Sequence, residues 1–233
     1  MKKTLLTLLS KSFLPGFKAT LNSILKNTID FNEQIICLDM DLDDEDRAFC
    51  TNLYGNLIFE TPIKENYGYT PISAVALKNS FYKLECFRIA RNYDYCLMFD
   101  SDMVFIKSIK ELIDIKPKHD LMLAYHPEYK EFNSGLLILN NIGLCKYQVL
   151  IDFMKSMKNA HLGDQTVITQ AISKGKLRVS NLDNKWNTTK RQVKLFSHTD
   201  YVGLHFVGKK PWNGGEAGYE KIESIWHQYY EMV

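Results

Sequence analysis

The sequence has no Cys-x-x-Cys pair, no long apolar run and almost no net charge. Its five cysteines (Cys37, Cys50, Cys86, Cys96, Cys145) are odd in number and scattered. Most sit in apolar surroundings, which points to reduced core thiols and a cytoplasmic setting. No stretch reaches the length of a membrane span. Met1-Lys2-Lys3 followed by TLLTLL is like the start of a signal peptide. Its apolar part is short, interrupted by Thr7, Ser10 and Lys11, and lacks a small-residue cleavage site, so a first β-strand fits better. With a formal charge of +2 and lysines spread along the chain, there is no electrostatic case for nucleic acid. Repeats, low-complexity tracts and linkers are also missing, so residues 1–233 read as one domain. At 45% hydrophobic, with 13 Tyr and 13 Phe, that domain can bury a sizeable core.

The chain is organised around Tyr93 to Ile106, YDYCLMFDSDMVFI. Cys96 to Phe99 is a continuous apolar run, as in a strand covered on both faces. It stops at Asp100-Ser101-Asp102, and a second apolar run, Met103 to Ile106, follows at once. Carboxylates spaced i and i+2 on extended chain point to one side and repel unless a cation sits between them. All-oxygen ligation of that kind suits Mg²⁺ or Mn²⁺ shared with substrate phosphates. The plainer reading is a surface turn in which each Asp bonds its own backbone.

Strands are expected at Thr4 to Leu9, Gln34 to Leu38, Asn56 to Phe59, Leu121 to Tyr125, Phe132 to Asn140 and Tyr201 to Val207. Helices are expected from Pro15 to Lys26, from about Leu42 to Tyr54, and over Ser80 to Asn92, Ile109 to Ile113, Ile142 to Lys158, Asp164 to Ile172 and Ala217 to Tyr230. Glu60 to Leu77 is a long aromatic loop placed as a lid or acceptor segment. Alternation of strands and helices in the first half predicts a doubly wound α/β sheet, with ligands beyond the carboxyl ends of its strands. Asp39 and Asp100 both fall on that rim.

Three further stretches carry possible chemistry. Phe132-Asn133-Ser134-Gly135 opens an apolar strand, and its glycine serves either a close ligand approach or a β-bulge. Gly163-Asp164-Gln165 starts a helix, as a plain cap or as a ligand-facing pair. Leu204 to Trp212, LHFVGKKPW, places a histidine on a strand before Gly208, Lys209, Lys210 and Pro-Trp. A histidine there is either a satisfied core residue or a metal-binding imidazole followed by cations for a diphosphate.

In this order, MFDSDMVF, FNSGLLILN, LGDQTVIT and LHFVGKKPWN, with PGFKATLNSI before them and YEKIESIWHQYY after, resemble the glycogenin-like, family-eight glycosyltransferases. The match spans nearly the whole chain. The resemblance implies an α/β fold of GT-A type, a mostly parallel central sheet flanked by helices, with a Rossmann-like nucleotide-binding half and a mixed-sheet acceptor half. It implies a Mn²⁺-dependent enzyme (Mg²⁺ being the alternative ion) that moves a hexose or related sugar from a UDP-sugar to an acceptor hydroxyl with retention of configuration. The acceptor, whether glycan, protein or small molecule, is not indicated.

By position, Asp100, Asp102 and His205 match the metal ligands. Ser101 matches a ribose contact, and Lys83 a basic residue that holds the donor. Asn133, Ser134 and Gly135 match the wall beside the sugar, Asp164 and Gln165 the pair near the anomeric carbon, and Leu9 and Phe13 the border of the uracil. Gly208 and Lys210 match the diphosphate contacts. The chain has one residue fewer than the family often has between the loop glycine and the lysine before Pro-Trp, so Lys209 competes with Lys210. The competing classes are a sugar-nucleotide transferase or metal phosphohydrolase on a similar sheet, and a non-catalytic nucleotide-sugar-binding module.

Overall fold

Alternation within fully buried strands decides the layering of the protein. The computed structural model describes residues 2–67, 79–127, 130–141, 144–196 and 200–232. β1 (Lys3–Leu9), β2 (Ile35–Asp39), β3 (Leu57–Glu60) and β4 (Tyr95–Phe99) pair in parallel, joined by α1 (Leu14–Asn27), α2 (Asp44–Leu53) and α3 (Glu85–Ala90). Leu5, Leu9, Ile35, Cys37, Leu97 and Phe99 pack on Phe17 and Leu21 of α1, while Leu6, Ile36, Leu38, Cys96 and Met98 share the other core layer with Leu84 and Phe87. Successive residues of each strand thus serve opposite layers. Cys37, Cys50, Cys86 and Cys96 are free and buried in these layers, as expected of reduced core thiols.

The chain then leaves the large sheet. β5 (Met103–Phe105) and α4 (Lys110–Asp114) precede β6 (Leu121–His126) and β7 (Glu131–Asn140), an antiparallel pair that returns to it. After α5 (Leu144–Ser156) and α6 (Asp164–Ser173), β8 (Val179–Leu182) completes the seven-stranded order β3-β2-β1-β4-β7-β6-β8. β9 (Thr188–Thr189), α7 (Lys190–Phe196), β10 (Gly203–His205) and α8 (Glu220–Tyr230) follow, and β5-β10-β9 form a second, three-stranded sheet. Against α1, the indole of Trp226 on α8 lies buried with Ala19, Val104, Leu204 and Phe206.

Most expected elements are present within a few residues of their expected ends, and α2 begins with a capping box between Asp43 and Asp46. Two differences matter. The helix expected over Ser80 to Asn92 is a 3-10 segment, Asn79–Leu84, followed by the short α3. A three-fold turn brings residues i and i+3 onto one side, and Ser80 and Lys83 accordingly face the same cleft. β8, β9 and α7 have no counterpart among the expected elements; the two strands are too short for a periodic signal. Of the expected lid, residues 68–77 lie outside the described residues. Among the described residues no helix is long and apolar enough to cross a membrane.

Candidate active site

The order of the large sheet reverses direction at β1, whose neighbours β2 and β4 are reached by connections running opposite ways. At such a switch point the loops diverge and open a crevice beyond the strand ends. Here the crevice is a cleft of about 1040 Å³. Asp100 lies just past β4, and the Asp-Ser-Asp turn carries the chain from the large sheet into β5 of the small one. β7 runs antiparallel to β4, so its beginning meets the end of β4, and Asp100 N donates to Gly135 O at 2.8 Å. A register shift between β6 and β7 pairs Leu123 with Leu137 but Ala124 with Asn133, leaving Ser134 and Gly135 displaced toward that turn.

Register also explains how residues a hundred positions apart converge. β10 pairs antiparallel with β5, setting His205 opposite Met103, and Phe206 N donates to Asp102 O at 3.0 Å. His205 Nε2 consequently lies 3.2 Å from Asp102 Oδ1 and 3.6 Å from Asp100 Oδ2. The ligand atoms of Asp100, Asp102 and His205 all lie within 4.8 Å of one another. Gly135 is what admits the imidazole, because a Cβ there would collide with the His205 ring. Its role in the structure is to receive that ring within an irregular strand.

Cations surround these carboxylates. Lys83 Nζ is 2.9 Å from Asp100 and 3.5 Å from Asp164, with its side chain only 9% exposed. Burial works against its charge, but the carboxylates of Asp100 and Asp164 prevail and hold its pKa above the usual lysine value. Lys210 Nζ pairs with Asp102 Oδ2 and donates to Phe206 O at 3.0 Å. Asp102 is buried, which alone would raise its pKa, yet Lys210 and His205 hold it well below the usual carboxylate range. Asp164, at the first turn of α6, shows the opposite outcome: burial is the largest influence and raises its carboxyl, with Lys83 opposing. Its Oδ2 has no hydrogen-bond partner among the described residues. Gln165 donates to Glu131 Oε2 at 3.1 Å.

The cleft is lined by Phe13, Lys83, Asp100, Ser101, Asp102, Asn133, Ser134, Gly135, Asp164, Gln165, His205, Gly208 and Lys210, all of them candidates from the sequence. Two candidates are not in it. Leu9 points into the core with Leu5, as strand alternation requires, and Leu8, Ser10 and Ser12 line the cleft instead. Lys209 is exposed and its side chain does not line the cleft, because the extended backbone at Lys210 turns adjacent side chains to opposite sides. Asp39, expected on the rim, bonds Leu42 N at 2.9 Å and pairs with Arg47 at 2.7 Å, a structural role at the start of α2. Ser80, Glu131 and Arg191 line the cleft and were not singled out from sequence. Neither was Asn187, which faces His205 from behind. None of them belongs to a motif that spacing alone would mark.

The loop 207–218, which carries Gly208, Lys209 and Lys210, is anchored in this structure. Buried Lys190 donates to Lys209 O at 2.7 Å and to Glu223 Oε1 at 2.8 Å, and pairs with Glu216 at 3.0 Å. Trp212 Nε1 donates to Ser12 O at 3.1 Å, and its ring meets Phe13 edge-on at 5.5 Å. Gly208, at φ +80°, supplies the left-handed turn that starts the loop.

Two carboxylates and an imidazole converging at the cleft floor fit a hard or borderline divalent cation. Asp102 Oδ1 is buried with no hydrogen-bond partner among the described residues, and it faces a ring nitrogen at 3.2 Å. A positive charge between those two atoms relieves both.

No family model matches the chain, and no curated protein matches it. Among solved structures, the glycosyltransferase GlyE of Streptococcus pneumoniae superposes with a TM-score of 0.77 at 18% identity, over 100% of this chain and 61% of that one. The bifunctional glycosyltransferase WbbM gives a TM-score of 0.76 at 16% identity, over 100% of this chain and 50% of that one. The galactosyltransferase LgtC, solved with donor and acceptor sugar analogues, gives 0.72 at 16% identity, over 99% of this chain and 97% of that one. The chain thus spans less than two thirds of GlyE and half of WbbM. What is shared at these identities is the architecture, a mixed α/β fold of GT-A type with a mostly parallel central sheet.

Proposed function

We propose that this protein is a metal-dependent glycosyltransferase of the glycogenin-like kind. In this reading it moves a hexose or related sugar from a UDP-linked donor to an acceptor hydroxyl with retention of anomeric configuration. The observation that carries the reading is the meeting of Asp100, Asp102, His205 and Lys210 at the switch point of the sheet. Support comes also from the shared architecture with glycosyltransferases, one of them solved with sugar analogues.

Asp100, Asp102 and His205 would hold Mn²⁺ or Mg²⁺, which when bound neutralises diphosphate charge and aids departure of the nucleotide. The bond that breaks joins the anomeric carbon to a β-phosphate oxygen, and its electron pair leaves with the phosphate. Lys210, already at the rim of the carboxylates, is placed to offset that charge. The anomeric carbon gains positive character, as in glycoside hydrolysis. Asp164 and Gln165 line the cleft outside the cation cluster, and the Asp164 carboxylate, 2% exposed, acts there with little screening by water. Lys83 joins the two functions by bonding Asp100 and facing Asp164. The binding half of this reading is tested by calorimetry of UDP: binding that needs Mn²⁺ and is lost in EDTA supports it, and equal binding in EDTA contradicts it.

Asp164 also allows a stability prediction. Its carboxyl is raised above the unfolded value of about 3.9. The fold therefore binds more protons than the unfolded chain between the two values, and ionisation costs stability that is complete above the folded pKa. Asp164→Asn should raise Tm at neutral pH by on the order of a few °C. That gain should shrink as the pH falls toward 4. Sugar transfer should meanwhile drop by about 10²-fold or more. Thermal scans across pH, paired with rates at neutral pH, check both halves.

A further inference from the structure

We propose that Asn187, oriented by Asn133, sets the tautomer of His205 and so readies its Nε2 for a divalent cation. The inference rests on the reading of Asp100, Asp102 and His205 as the cation site. The Gly135 backbone N–H can only donate, and it donates to Asn133 Oδ1 at 2.8 Å. Asn187 meets that same oxygen at 2.9 Å, so the group it turns there must be its amide nitrogen. Its Oδ1 then faces the opposite way, where His205 Nδ1 lies 3.0 Å off. An amide oxygen only accepts, hence Nδ1 carries the hydrogen, and in the neutral ring Nε2 is left bare. That bare nitrogen is the one turned toward Asp102 and Asp100.

The polarity of one backbone amide is thus passed through two side chains to a ring nitrogen. Asn187 is fully buried, so no bulk water competes for its amide. Its own backbone carbonyl accepts from His126 Nε2 at 3.1 Å, which pins the residue from β6. Asn187 does not line the cleft and therefore acts as a positioning residue, through His205 alone. Asn133, read from sequence as part of the wall beside the sugar, has its side-chain oxygen taken up by this relay. Partners of this kind, behind a metal-binding imidazole, are worth about 10–100-fold in metal affinity.

The test begins on the metal-free parent, with ¹⁵N-labelled histidine and ring-nitrogen NMR, read in alkaline buffer at which the spectra themselves show a neutral ring. A His205→Gln variant assigns the signals. The expected pattern is protonated Nδ1 and bare Nε2; a parent in the Nε2–H form overturns the proposal. Asn187→Ala should scramble that pattern and raise the Mn²⁺ dissociation constant by about 10–100-fold. Unchanged ring shifts in a folded Asn187→Ala protein would overturn it equally. Should Asn187→Ala not fold, the Asn133 pair decides: Asn133→Asp keeps the acceptor and the parent pattern, whereas Asn133→Ala loses it. Identical ring shifts in those two variants would contradict the relay. A parent with the expected tautomer but no Mn²⁺ binding would support the relay and contradict the cation site, so the two readings fail separately.

Discussion

Asp102→Asn should cut metal-dependent sugar transfer by about 10²–10³-fold while the protein remains folded. The amide keeps the volume of the carboxylate and the backbone bond from Phe206 N to Asp102 O, so the strand pairing that brings His205 alongside survives. What it removes is the charge facing His205 Nε2 on one side and Lys210 on the other. The stability effect has the opposite sign to that of Asp164→Asn. Asp102's carboxyl, despite burial, is held low by Lys210 and His205. It therefore contributes stability that is present above the unfolded carboxylate value and is lost as pH falls through the folded one. The metal-free variant should melt below the parent at neutral pH, with the gap narrowing in acid. Calorimetric scans of the two variants in EDTA, with Mn²⁺-dependent rates measured alongside, check the pair. Unchanged turnover in Asp102→Asn would remove the cation cluster from the account.

The second large effect separates two adjacent lysines. Lys210→Ala should weaken UDP binding in saturating Mn²⁺ by about 10–100-fold, the range of a hydrogen bond to a charged group. Lys209→Ala should leave it within a few-fold of the parent. Lys210 reaches into the cleft, its ammonium on Asp102 and 5.5 Å from the Phe13 ring centre. Lys209 contributes to the loop chiefly by its carbonyl, which accepts from Lys190, and the truncation leaves that bond in place. Calorimetry with UDP distinguishes the two. Parent-like binding by both variants would show that this loop does not hold the diphosphate.

Much of this arrangement could be read from the chain because its parts are local. Buried strands show as apolar runs, helix α2 shows by its acidic cap, Asp100 and Asp102 sit where two apolar runs meet, Asp164 starts a helix and His205 lies on an apolar strand. The misreadings come from side-chain direction and from long-range packing. The resemblance puts Leu9 in the cleft, one position away from Leu8, and on a strand one position is the difference between core and crevice. The sequence pattern puts Lys83 on a regular helix, whereas a 3-10 turn carries it to its tertiary partners Asp100 and Asp164. Asn187 lies on no periodic segment, and its meaning depends on Asn133 and His205, 54 and 18 residues away. Gly135 was legible as a close-approach glycine, but what approaches is an imidazole from another strand.

The central claim is most directly tested by the product released. Incubating the parent with a panel of UDP-sugars, with Mn²⁺ and with EDTA, and identifying the phosphorus-containing product by ³¹P NMR reads it without knowledge of the acceptor, since water can replace it slowly. The account predicts UDP from at least one donor in Mn²⁺ and none in EDTA. Release of pyrophosphate or inorganic phosphate, or UDP formed equally well in EDTA, would contradict it.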